Sequence, residues 1–212
     1  MNINNNANNQ KKRTFIEAAR QTQIVECAIE TIASLGFAQA SLAQIAKRAG
    51  ISTGVISYHF KNKERLIRHV IEKVYTSGDS YMRPLIQSAT SAREMLSVYI
   101  ESNIAFMSAH KTYMLALLEI WSGIRPEEGK ESFVFNLQEG AIYDLVQILQ
   151  FGQKSGEFRT FSPRVMAITI RQAIDGLPPQ IMTNPELDLD AYAQELITLF
   201  KLATDKNVTL SV

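Results

Sequence analysis

The chain has 212 residues, 46% apolar and 20% charged, with a formal net charge of only +1. That is the composition of a soluble globular protein of one large domain or two unequal ones. No apolar run approaches the roughly 18 residues that a bilayer span requires, the opening MNINNNANNQKKR has no apolar core for a signal peptide, and the single Cys27 excludes an internal disulfide framework, so no membrane association and a cytoplasmic location are expected. The charge is uneven: residues 1–73 hold 11 Lys/Arg against 5 Asp/Glu, and residues 74–212 hold 11 against 16. A basic first third on a mildly acidic remainder points that third toward a polyanion.

Residues 1–17 read as a flexible basic arm, Asn-rich and ending its polar run in Lys11, Lys12 and Arg13. From about Thr14 the pattern turns helical, with Ile24, Ala28, Ile32 and Leu35 on one stripe. Gly36 offers a left-handed stop, and Phe37 can pack back on the last turn. Ser41 suits the N-cap of a second helix, with Gln44 three residues on as in a capping box. Leu42, Ile45, Ala46 and Ala49 form its apolar face, and Gly50 closes it. Ile51, Ser52 and Thr53 link to a third helix, capped by Ser52 or Thr53, with Val55, Ile56 and Phe60 inward. A fourth helix runs from Lys63 to about Ser77, with Gly78 and Pro84 marking a boundary or bend. Further helices are expected over 92–109, 112–123, 131–155, 163–181 and 189–204. Turn signals at strand spacing are absent, as is any internal repeat, so the fold class is all-α.

Two short helices joined by a glycine-containing turn form a helix-turn-helix. Its second helix enters the major groove, so residues at its start must be short or polar. Thr53, Gly54 and Ser57 meet that demand, and buried Ala46 and Ala49 let the two helices approach closely. A helix N-terminus also favours phosphate.

Four ordered motifs now stand in one stretch. They are Ser41-Leu42-Ala43-Gln44-Ile45-Ala46, then Ala49-Gly50-Ile51-Ser52, then Gly54-Val55-Ile56-Ser57-Tyr58-His59-Phe60, and last Asn62-Lys63-Glu64-Arg65-Leu66. Together they resemble the DNA-binding signature of TetR-family (tetracycline repressor-like) transcriptional regulators, over roughly residues 18–73. The resemblance implies a three-helix head over 18–78, with its motif at 41–60, and a larger helical effector-binding and dimerisation domain over 79–212. It implies that Thr53, Gly54, Ser57 and Tyr58 face the groove and that Tyr58 and His59 reach phosphate or base edges. Ser41 and Ser52 are carried over as DNA-binding residues at the helix starts. Ser41, bonding phosphate, and Lys63, clamping backbone phosphate, are expected to contribute affinity, and Thr53, Gly54 and Ser57 specificity. Ser57 stands where the family often has tyrosine, so the base it reads is left open.

Nothing in the sequence suggests an enzyme, a cofactor or a metal. His59, His69 and His110 fall in no HExxH pattern, and neither GxxxxGK[ST] nor GxSxG occurs. Gly152-Gln153-Lys154-Ser155 resembles the end of a phosphate loop but lacks the upstream glycine and reads as a helix terminus. Segments 163–181 and 189–204 are apolar over a wide face, and the resemblance implies that residues 163–204 pair two chains as a homodimer on a near-palindromic operator. Phe106, Tyr113, Trp121 and Tyr143 are candidates for an apolar effector pocket, with Asp175 as its polar anchor or as a helix-end residue. The function expected is a repressor released from double-stranded DNA by a small lipophilic or aromatic effector. The alternatives are a DNA-binding regulator without such an effector, either an activator or one controlled by a partner, and a helical enzyme or carrier.

Overall fold

The computed structural model describes residues 3–123, 132–184 and 186–206, with only the backbone described over 3–14 and 132–136. Ten α-helices are named among them: α1 Ile3–Leu35, α2 Leu42–Ala49, α3 Thr53–Phe60, α4 Lys63–Ser88, α5 Ala92–Ala109, α6 Lys111–Gly123, α7 Ser132–Lys154, α8 Pro163–Asp175, α9 Leu177–Thr183 and α10 Leu189–Thr204. None of the helices described is long and apolar enough to cross a membrane. The chain divides into two compact units. Among the described residues, one runs to Val74 and adds 115–123; the other comprises Tyr75–Met114 and those from Ser132 on.

The first unit is organised by one apolar seam. Ile24, Ala28, Ile29 and Ile32 of α1, Ile45 and Ala46 of α2, Ile56 and Phe60 of α3, and Leu66, Val70 and Ile71 of α4 are all buried. Gly36 ends α1 in the left-handed region (φ 81), its N–H on the Ile32 carbonyl at 2.9 Å. Leu35 falls off the stripe and is exposed. Cys27 is half-buried, its thiol pushed up first by burial and then by Glu30, which fits an inert residue.

In the second unit α5 is the central helix, packed by α7, α8 and α10. It is buried on nearly all sides, from Ala92 and Leu96 through Ile100 and Ile104 to Met107, as a helix apolar around most of its girth must be. Leu145 and Leu149 of α7, Ile170 and Ile174 of α8, and Ile197 and Phe200 of α10 complete the core. The Gly152 stretch is indeed a helix end and turn. A Cβ at Gly152 would fall 2.1 Å from the Phe158 ring, so only glycine allows that close approach.

Three elements differ from the sequence reading. α1 begins at Ile3, within the stretch expected to be an arm; each residue added to an existing helix gains a hydrogen bond without repeating the nucleation cost. α4 continues through Gly78 and Pro84 to Ser88. Gly78 is a contact residue rather than a stop, since a Cβ there would lie 3.4 Å from the Phe106 ring. Pro84 removes one ladder bond, and the helix ends one turn later. The expected helix 163–181 is two helices parted at Gly176. Pro178 and Pro179 cannot donate to the carbonyls of Ile174 and Asp175, so the ladder breaks there and the prolines serve instead in the first turn of α9.

The start of α5 is capped from a distance. Ala92 and Arg93 donate their N–H groups to the Glu157 carboxylate, both at 3.1 Å, and Ser91 accepts from Glu94 N at 3.2 Å. Burial would raise the Glu157 carboxyl, but these bonds, with those from Ser155 and the charge of Arg93, outweigh it and hold it below its ordinary value. Its contribution to stability is therefore complete above the ordinary 4.5 and is lost as pH falls through the lower folded value. Glu157→Ala should lower stability by about 1 kcal/mol, the usual cost of a lost helix cap. Glu157→Gln should flatten the acid limb of a stability-against-pH curve measured by denaturant melts. An unchanged acid limb would show that other carboxylates set it.

Candidate nucleic-acid interface

α2 is eight residues and α3 is eight residues, too short to persist alone, so their ends must be fixed. Ser41 has an extended backbone, and its hydroxyl accepts from Gln44 N–H at 3.2 Å. Gly50 closes α2 in the left-handed region (φ 65), donating to Lys47 O, while Ile51 N–H reaches Ala46 O at 3.0 Å. This double closure turns the chain sharply into Ser52. Ser52 takes the N-cap position of α3 with an extended backbone, yet its side chain makes no capping bond. Its hydroxyl lies 3.6 Å from the point where a Gly54 side chain would begin.

α3 buries Ile56 and Phe60 completely and Val55 in part. At 100° per residue this rotation leaves Thr53, Gly54, Ser57 and Tyr58 exposed. Tyr58 is 70% exposed, and the half-buried His59 ring meets its edge at 5.0 Å. The structure thus brings Thr53, Gly54, Ser57, Tyr58 and His59 together on one short helix, with Ser41 and Ser52 at the preceding caps. Exposed Lys47, Lys61 and Arg65 flank them.

The exit from α3 is tight. Lys61 has φ 65 and Asn62 N–H bonds the Phe60 carbonyl at 2.8 Å, a γ-turn at a non-glycine residue. Asn62 then caps α4, its Oδ1 accepting from Arg65 N–H at 2.9 Å. The sequence reading missed this cap, although asparagine before a helix is a signal for one. Lys63 makes a contact within the protein that its sequence neighbours do not show. Its Nζ donates to the Phe37 carbonyl at 2.9 Å and lies 4.5 Å from the centre of the Phe37 ring. Partial burial pulls its ammonium below the ordinary value. An ammonium carries three donors, so this bond leaves two.

The five effector candidates do not form one group. Phe106 is buried, with His110 stacked on it at 4.2 Å, Tyr81 at 6.0 Å, and Tyr113 reaching His110 at 5.4 Å. Trp121 belongs to the other unit. Tyr143 is 62% exposed because it falls on the outer side of α7, away from buried Leu145 and Leu149. Asp175 is paired with Arg171, the residue that sequence reasoning missed. Arg171 also donates to Asn103 Oδ1 at 2.9 Å and to Tyr99 Oη at 3.1 Å. Burial would lower this guanidinium, but Tyr99 and Asp175 more than compensate and raise it. Tyr75 is pushed up to about 12 by burial and then by Asp175. Separately, a polar cleft of about 280 Å³ is lined by Ser108, Lys111, Asn184 and Asp190 among others, and by none of the five candidates.

With this geometry established, comparison places the chain among known proteins. The family model described as bacterial regulatory proteins, tetR family, matches residues 24–70. The chain is 28% identical over 198 residues to the HTH-type transcriptional regulator BetI of Cronobacter sakazakii, covering 85% of this chain and 93% of that one. The transcriptional regulator FadR of Bacillus subtilis, solved in complex with stearoyl-CoA, matches with a TM-score of 0.76 at 25% identity, over 84% of this chain and 96% of that one. A transcriptional regulator from Saccharomonospora viridis in complex with choline has a TM-score of 0.78 at 20% identity, over 90% and 100% of the two chains, a likeness of fold.

A Cβ at Gly50 would meet nothing within 4 Å. Gly50→Ala should therefore cost only the left-handed backbone penalty, about 1 kcal/mol in a denaturant melt, with no overpacking. A loss several times larger would mean that the turn is held by contacts the backbone does not account for.

Proposed function

We propose that the chain is a TetR-family DNA-binding transcriptional regulator, a repressor released from a near-palindromic operator by a small amphipathic effector. The observation that carries the DNA side is the exposure of Ser57 and Tyr58 on a helix whose other face is locked by Ile56 and Phe60. In this reading Thr53, Gly54 and Ser57 meet base edges and set specificity, while Ser41, Ser52, Tyr58 and His59 position the head on the backbone. Lys63 offers its remaining donors to phosphate.

The dimer forms through residues 163–204. Val165 and Ile168 of α8 and Leu199 and Leu202 of α10 are exposed, each pair spaced three residues apart. Two exposed apolar stripes in one unit are what a second copy would cover. Two-fold symmetry then sets the two recognition helices about one DNA turn, roughly 34 Å, apart.

The effector occupies the second unit, with Phe106 and Tyr113 against its apolar part and the Arg171–Asp175 pair near its polar end. The solved relatives support an amphipathic ligand: one holds stearoyl-CoA and another holds choline, each with a charged or polar group. Release requires only that the effector prefer the conformation that does not fit DNA.

DNA upstream of the protein's own coding region provides the direct test. The protein should protect an inverted repeat with two half-sites about one turn apart. Tyr58→Ala should weaken that binding by about 1–3 kcal/mol in an anisotropy titration. Equal affinity of wild type and variant would remove Tyr58 from the interface. A screen of hydrophobic and amphipathic compounds should return at least one that raises the melting temperature and releases the same DNA. Compounds that stabilise strongly yet leave operator affinity unchanged would refute effector control.

A further inference from the structure

The turn between α1 and α2 is held from α6. Phe37 N–H does not fold back on α1; it donates to Glu119 Oε2 at 3.2 Å, across 82 residues of sequence. A Cβ on Gly36 would lie 3.1 Å from that same oxygen, so the carboxylate sits directly against the turn. The Phe37 carbonyl accepts from Lys63 Nζ at 2.9 Å, and the Phe37 ring lies under the same ammonium. On the ring's other neighbour, α6 ends at Gly123, where a Cβ would fall 2.2 Å from a ring carbon. Phe37 is therefore gripped at its N–H by α6, at its carbonyl by α4 and at its ring by both.

That grip bears on the reading surface from both sides. The turn leads through Ala40 to Ser41, the cap of α2. Lys63 is the first residue of α4, immediately after the Lys61–Asn62 junction that ends α3. We infer that Glu119 is a positioning residue for DNA recognition, acting through the Phe37 turn and Lys63 rather than by touching DNA. The inference rests on the operator-binding reading above.

Charge makes the inference separable from electrostatics. Glu119 is an acid in a unit that meets a polyanion. If it acted only through its charge, its removal would tighten DNA binding. A positioning role predicts the opposite sign, because fewer molecules would hold the two caps in the binding geometry, and apparent affinity falls with that fraction. It also predicts rescue by an uncharged acceptor: Glu119→Gln keeps an oxygen for the Phe37 N–H.

The experiment uses the full-length protein and a duplex that the wild type selects from a random pool. Glu119→Ala should bind that duplex about tenfold more weakly, with an unchanged slope of log K against log salt because no phosphate contact is lost. Glu119→Gln should stay within about threefold of wild type, since the hydrogen bond remains. Gly123→Ala displaces the Phe37 ring with no change of charge and should also weaken binding, which keeps the test decisive if Glu119→Ala melts early. Affinity equal to or tighter than wild type in Glu119→Ala and Gly123→Ala would overturn the inference. Equal losses in the Ala and Gln variants would overturn it too, because an acceptor kept for the Phe37 N–H would then make no difference. A wild type that selects no sequence would instead remove the operator reading, and the inference with it.

Discussion

The burial of Ile56 and Phe60 is the constraint on which the reading head depends. α3 has eight residues, and a helix that short gains too little from its own hydrogen bonds to persist. Two fully buried large side chains supply about 2–3 kcal/mol each relative to exposure, enough to hold it against α2 and α4. The same burial fixes its rotation, because residues one position away from a buried one turn by 100°. Ser57 and Tyr58 are outside because Ile56 and Phe60 are inside. Nothing at the surface needs to hold them there.

This explains which parts were legible in the sequence. The bounds of α2 and α3 follow from local signals: a serine at a cap, a glycine at a left-handed closure, and apolar residues at helical spacing. Those signals act within one turn of where they are read. The misreadings arise where a distant partner decides. Gly78 reads as a break, but the Phe106 ring occupies the space beside it and makes a small residue an advantage inside the helix. The bond from Lys63 to the Phe37 carbonyl, 26 residues away, is likewise a contact that no local signal shows. The exposure of Tyr143 is set by which face of α7 the core covers. The double proline reads as a helix end, but it also begins the next helix. The TetR likeness itself was legible because its motifs lie in the head, where signals are local.

The second unit shows the converse problem. Arg171 lies between Ile170 and Gln172 on a helix with one buried face, and an arginine at such a place usually extends toward water. Here it is largely enclosed, because Tyr99 and Asn103 on the buried side of α5 accept from it and Asp175 supplies an opposite charge one turn along α8. Asp175 sits at the C-terminal end of α8, where the helix dipole disfavours an acid. Its pairing with Arg171 accounts for an acid at that place. A buried cation with partners on two helices ties α5 to α8. Removing one partner would leave an uncompensated charge, so the cluster resists any rearrangement that separates these helices.

That resistance limits how an effector can act. In the proposed reading, an effector near Phe106 and Tyr113 would act within a unit whose α5 and α8 the Arg171 cluster holds together. α4 and α6 are each one continuous helix with residues in both units. Each also ends its path at Phe37, α4 through Lys63 and α6 through Glu119. A small displacement of either helix relative to the other would pull the N–H and the carbonyl of one residue in different directions. A single backbone unit held at both ends tolerates little of that before one bond breaks. Phe37 is the one residue of the first unit on which the described contacts of α4 and α6 converge through the backbone.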